Sequence, residues 1–177
     1  MRELETIIAN CQKGDTKAGA ELYRMFAPKM FALCIRYSKS REEAEDNLQD
    51  GFIKMLDAIW QYTGKGSFEG WMKRIFVTTA LEKYRKNSPL QLVDEFPDRG
   101  TDEGNDEPIN IPGEVLLEYV QQLPEKYRMV FNLYVMEQIP HKEIASMLGI
   151  SEGTSKSNLA RAKEILKKKI RIYRENE

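Results

Sequence analysis

A stretch of 27 residues, from Asn87 to Gly113, divides this chain and so constrains every fold open to it. It holds seven acidic residues against one basic residue, four of the chain's seven prolines, and few large apolar side chains. Such a composition cannot bury enough surface to offset the entropy of ordering, so the segment is expected to be a flexible acidic linker. The chain is therefore expected to fold as a domain over residues 1–86, a linker over 87–113 and a second domain over 114–177. In 177 residues neither domain has room to be large.

Both flanking blocks carry apolar residues at helical spacing and no convincing strand alternation, which predicts an all-α fold of two small helical domains. In the first block Leu4, Ile7, Ile8 and Cys11 predict a helix, broken at Gly14-Asp15. A second helix over about 16–37 is expected to bury Leu22, Met25, Phe26, Met30, Leu33 and Cys34. Ser40 and Glu43 fit a capping box opening a third helix, with Ala44, Leu48, Phe52, Met55, Leu56 and Ile59 inward. Residues 61–67 read as a loop whose Ser67 caps a fourth helix carrying Phe68, Trp71, Ile75, Phe76 and Leu81. Trp71 and Phe76 are expected in the core. Four such helices can close one.

Beyond the linker, Val115, Leu116, Tyr119, Val120 and Leu123 predict a helix ended by Pro124, and a further helix is expected from Lys126 to Met136. Residues 141–149 then read as a short helix with Gly149 as its C-cap. Ile150 is expected to bury the turn, and Ser151 to cap a longer helix from Glu152 to about Tyr173. This is the pattern of a helix-turn-helix, with the small Ala145 where the helices cross. Thr154, Lys156, Ser157, Ala160 and Arg161 fall near the exposed face of the second helix. Lysine and arginine there can address phosphates or guanine edges, and the hydroxyls can bond to either. The same pattern also serves as a protein-interaction fold.

The net charge of −1 argues against nucleic acid only until it is divided: the two helical blocks carry +3 and +2, and the linker −6. Residues 141–174 alone hold nine basic and three acidic side chains. The basic surplus thus coincides with the helix-turn-helix. Cys11 and Cys34 form no metal-ligand spacing and read as small buried thiols. His141, the sole histidine, reads as a capping or solvent residue. No phosphate loop, catalytic triad or metal motif is present, so neither an enzyme, a cofactor nor a small-molecule substrate is expected. No apolar run approaches the roughly 18 residues that span a bilayer, so membrane insertion is not expected.

Residues 123–128, 139–150 and 151–163 together resemble region 4 of the sigma-70 family of bacterial transcription initiation factors. Residues 45–52 resemble region 2.2 of that family, and residues 68–85 resemble regions 2.3 and 2.4. Two domains without a region 3 domain are similar to its extracytoplasmic function (ECF) group. The resemblance implies a cytoplasmic initiation subunit that binds core RNA polymerase through the β′ clamp helices and the β flap, binds promoter DNA, and is held by an anti-sigma factor. It assigns polymerase docking to Asp46, Leu48, Gln49, Asp50 and Ile53. Recognition and melting of the −10 element fall to Tyr62, Lys65, Phe68, Lys73, Arg74, Thr78, Glu82, Arg85 and Lys86, with the loop holding a flipped base. Contact with the −35 element falls to Thr154, Lys156, Ser157, Asn158 and Arg161. The acidic linker would thread toward the active-site cleft and the RNA exit channel. The chain departs from the family's usual residues at Thr78 (asparagine), Glu82 (aspartate), Ser155 (valine) and Asn158 (arginine), which bears on promoter sequence. A helix-turn-helix regulator acting without the polymerase is the alternative, and a polymerase-binding protein with no DNA role is a third reading.

Overall fold

A computed structural model describes residues 2–87 and 111–176, and among these every regular element is helical. The expected linker lies almost entirely outside the described residues. The chain forms two compact units, Met1–Lys83 and Tyr84–Glu177.

In the first unit, α1 (Arg2–Gln12) buries Ile7, Ile8 and Cys11. Gly14 then turns the chain at φ +88°, a conformation that costs a residue without a Cβ little. Asp15 caps α2 (Thr16–Tyr37), its carboxylate accepting from the backbone N–H of Lys17 at 2.8 Å. Leu22, Phe26, Met30, Leu33, Cys34 and Tyr37 face inward. Met25, expected among them, is 46% exposed and so lies at the edge of the buried stripe.

The cap of α3 (Arg41–Ala58) differs from a reciprocal box. Ser40 Oγ accepts from Glu43 N–H at 3.2 Å, but the Glu43 carboxylate reaches back to the N–H of Lys39, one residue before the cap. Beneath this turn Ser38 is fully buried; its hydroxyl donates to the Cys34 carbonyl (2.7 Å) and accepts from Asn47 (2.8 Å), tying the end of α2 to α3. Ala44, Leu48, Phe52, Met55 and Ile59 are buried as expected, whereas Leu56 lies on the rim and is 40% exposed.

A 3-10 turn (Ile59–Gln61) leads through a loop into α4 (Phe68–Asn87), where Ser67 Oγ accepts from Gly70 N–H at 3.0 Å. Gly51 sets how closely α3 and α4 approach: a Cβ built there would lie 2.4 Å from the ring of Phe76. Phe52 meets Phe76 edge-on and Tyr23 at a tilt, so one aromatic row links α2, α3 and α4. Met72, Val77 and Ala80 complete the buried face of α4, while Ile75 and Trp71 are only half-buried.

In the second unit, α5 (Gly113–Gln121) and α6 (Glu125–Phe131) are joined by a turn that Arg128 fastens from inside. Its guanidinium is buried and donates to the carbonyls of Gln121 (2.8 Å) and Leu123 (3.1 Å), groups that a helix end leaves without partners in the helix. The single helix expected over residues 126–136 changes register at Phe131: Asn132–Met136 forms a π turn, in which Glu137 N–H bonds to Asn132 O. α7 (His141–Leu148) ends at Gly149 with φ +67°, and Ile150, half-buried, bonds back to the Ala145 carbonyl. Ser151 caps α8 (Glu152–Glu175) by accepting from Thr154 N–H at 3.0 Å. Val120, Leu133, Ile144, Leu159, Ala162 and Leu166 fill the space between these helices.

Candidate nucleic-acid and polymerase interfaces

α3 turns a mixed face to solvent. Asp46, Gln49 and Ile53 are exposed, and Leu48, 9% exposed, packs beneath them. Asp50 is half-buried because its carboxylate crosses to Lys83 of α4 at 2.7 Å, and Lys54 pairs with Glu82 alongside. These two bridges run in opposite directions between the same helices, so their four charges cancel along that edge. Beside it Ile53, Leu56 and Trp60 recur at spacings of three and four residues, and Trp60 is 70% exposed. The expected pattern puts Leu56 inward and gives Trp60 no place, so this apolar ridge departs from it. Its signal in the sequence was the same helical period, continued past the end of the core.

The loop between α3 and α4 is built on aromatics. The Tyr62 hydroxyl donates to the Gly66 carbonyl at 2.9 Å, which closes the loop, and Gly64 and Gly66 both take φ +79°. Above the buried Phe68, the rings of Tyr62 and Trp71 lie with centroids 5.4 Å apart. Trp71, which also stacks on Phe68 at 5.5 Å, is thus a half-exposed part of this cluster and not a core residue. Lys65 is exposed at the loop's tip. Along α4, Arg74, Thr78, Glu82 and Arg85 follow one another at helical spacing, with Lys86 at the last turn. Lys73 is engaged elsewhere: Glu69 bridges it (3.2 Å) and Lys29 (2.7 Å), and those hydrogen bonds hold the Glu69 carboxyl below its ordinary range.

On α8 the first two turns carry Thr154, Lys156, Ser157 and Asn158, with Arg161 one turn beyond Ser157. Lys156 leans on Glu152 at 3.2 Å and Arg161 on Glu164 at 3.0 Å, pairs that a phosphate can displace because both partners are exposed. Thr154 Oγ1 is within 2.8 Å of Ser151 Oγ, and the Ser157 hydroxyl donates to the Thr154 carbonyl. Ser155 points inward and is fully buried.

Two expectations about unusual residues come out differently from each other. His141 is not a cap or a solvated residue, for its ring stacks on Tyr134 (centroids 4.3 Å apart) and shares a hydrogen bond with Ser155 Oγ. Burial lowers its pKa, Lys156 adds to the effect, and Glu152 opposes it. Cys11 and Cys34 are free buried thiols, as expected, and burial pushes Cys34 up to about 12 against a smaller opposing pull from Lys83. Among the described residues no group of three or more histidines, cysteines and carboxylates could hold a metal ion, and no helix is long and apolar enough to cross a membrane.

The family model for sigma-70 region 2 matches residues 22–89, and that for sigma-70 region 4 matches residues 113–166; together they take in more than two thirds of the chain. The chain is 28% identical to the ECF RNA polymerase sigma factor SigW of Bacillus subtilis, over 93% of this chain and 95% of that one. It is also 28% identical to the ECF RNA polymerase sigma-E factor of Escherichia coli, over 94% and 93%. Among solved structures, its fold is similar to that of the sigma factor RpoE of Bartonella quintana, determined in complex with the anti-sigma factor NepR. That likeness has a TM-score of 0.51 at 18% identity and covers 84% of this chain and 94% of the other.

Proposed function

This chain belongs to the sigma-70 family of RNA polymerase sigma factors, and from that premise we propose how its residues divide the work of an ECF initiation factor. It directs RNA polymerase to promoters and catalyses no reaction itself. The observation that carries this function is the order of the two family matches, region 2 before region 4.

In our reading residues 1–86 dock on the polymerase and hold the melted −10 element, and residues 114–177 bind the −35 element and the β flap. Asp46, Gln49, Asp50 and Ile53 meet the β′ clamp helices, with Leu48 supporting them from below. A face that mixes carboxylates, an amide and an exposed isoleucine suits a partner that is basic with apolar gaps. The aromatic loop, with Tyr62 over Phe68 and Lys65 at its tip, receives an unstacked base, and Arg74, Arg85 and Lys86 neutralise the strand beside it. Lys73, Thr78 and Glu82 complete that surface. In the −35 duplex Lys156 and Arg161 exchange their glutamate partners for phosphate or guanine, while Thr154, Ser157 and Asn158 reach the same groove. The acidic segment 87–113 suits a path later taken by RNA, because its charge has the same sign as the transcript's.

We read the protein as cytoplasmic, because its work is with the polymerase. An anti-sigma factor is its expected keeper, and the apolar ridge of Ile53, Leu56 and Trp60 beside the docking face offers such a partner contact area. Single-round run-off transcription with core RNA polymerase tests the whole assignment. The protein should create initiation at a defined set of promoters, and Lys156 and Asp50 variants should lose it for different reasons, one in DNA binding and one in polymerase binding. Unchanged initiation in both variants would overturn the division of labour.

A further inference from the structure

Gln12 is the last residue of α1, and its side-chain amide is spent on a distant part of the chain. Nε2 donates to the carbonyl of Ile59 at 3.0 Å and to the carbonyl of Tyr62 at 2.9 Å, partners 47 and 50 residues away. A primary amide has two N–H groups, and here both are used on one stretch of backbone. Those carbonyls bracket the 3-10 turn through which α3 passes into the aromatic loop. From Tyr62 the constraint continues, because its hydroxyl holds Gly66 and its ring rests on Phe68 and Trp71. One neutral side chain thus sets the direction from which the loop departs.

We propose that Gln12 is a positioning residue for promoter opening, its amide holding the 59–62 backbone so that the loop is shaped before it meets an unstacked base. The proposal rests on the assignment of this loop to the −10 element. A loop ordered in advance need not be ordered during melting, and that cost would otherwise be subtracted from the energy of base capture. Gln12 acts through Tyr62 and not on DNA, so docking through α3 and duplex binding through α8 are independent of it.

Gln12→Glu is nearly isosteric and sets a carboxylate against two carbonyls, and Gln12→Ala removes the donors without repulsion. Trp60 and Trp71, the only tryptophans, flank the loop. In the full-length protein on a Trp60→Phe background, acrylamide quenching of Trp71 should rise for Gln12→Glu and rise less for Gln12→Ala, with helical circular dichroism unchanged. For function, a promoter selected from a random-sequence pool by the wild-type protein with core polymerase is prepared as intact duplex and with a mismatched bubble at −10. Gln12→Glu should slow initiation from the duplex about tenfold, which corresponds to about 1.4 kcal/mol, and leave the bubble template within about twofold. Equal losses on both templates would indicate a merely structural role and overturn the proposal, as would no loss on either. Tyr62→Ala separates the two layers of the argument. If it also leaves duplex initiation unchanged, the loop's assignment fails; if it slows initiation while Gln12→Glu does not, the clasp alone fails.

Discussion

His141 Nδ1 lies 2.9 Å from Ser155 Oγ, joining the first residue of α7 to a fully buried serine in the first turns of α8. The two helices of the helix-turn-helix are therefore locked at their N-terminal ends as well as at the turn. Burial, and then the nearby Lys156, disfavour the charged imidazole there, against a smaller opposing pull from Glu152. Its folded pKa lies below the ordinary 6.5, so at intermediate pH the unfolded chain binds more protons than the folded one. The stability it contributes is complete above pH 6.5 and is lost as pH falls from there toward the lowered value. Thermal melts between pH 5 and 8 should show a decline on the acid side that is shallower in His141→Gln.

Gly51 is predicted to be intolerant of even one added carbon. A methyl group at this position meets the ring of Phe76, which is itself buried and wedged against Phe52, so either the ring or helix α3 must shift. Overpacking of this kind costs about 1–3 kcal/mol. Gly51→Ala should lower Tm by several degrees and weaken polymerase binding with it, measured by calorimetry and by assembly with core enzyme. An unchanged Tm would mean that Phe76 finds another rotamer.

Lys156→Glu places a second acid one turn from Glu152 on an exposed face. The fold should lose no more than about 1 kcal/mol, because a favourable pair is replaced by a like-charge one. Binding to −35 duplex DNA should weaken, and the slope of log K against log salt should flatten by about 0.9, the contribution of one phosphate contact. Anisotropy titrations at several salt concentrations give both quantities.

Asp50→Lys tests the docking face. It breaks the bridge to Lys83, a partly exposed pair worth about 0–1 kcal/mol to the fold. Affinity for core polymerase should nevertheless fall about tenfold, corresponding to about 1.4 kcal/mol, while binding to −35 duplex DNA is unchanged. Competition against the wild-type protein for core enzyme measures the first, and the anisotropy titration the second.

The parts of this structure legible in the sequence are those decided within a few residues. Asp15, Ser40, Ser67 and Ser151 announce helix starts because a cap and its N–H donor are at most three positions apart. The exposed Asp46, Gln49 and Ile53 follow from the same period that buries Leu48 and Phe52. Met25, Leu56 and Trp71 depart from the expected burial because periodicity gives the direction of a side chain but not where its neighbours end. The inward turn of Ser155 and the fastening of a helix end by Arg128 depend on partners brought in by tertiary packing. Gln12 was invisible for the same reason: nothing near it in the chain says that its amide meets a turn some fifty residues later.

The sheltered sulfurs carry a practical meaning. With Cys11 and Cys34 both buried, and burial holding the Cys34 thiol up at about 12, the folded protein presents no ready thiolate to a maleimide. A cysteine introduced at Ile53, Lys65 or Lys156 would stand alone as the reactive group. Crosslinkers and fluorophores could then be placed one at a time on the docking face, the aromatic loop or the DNA-facing helix, on an otherwise native chain.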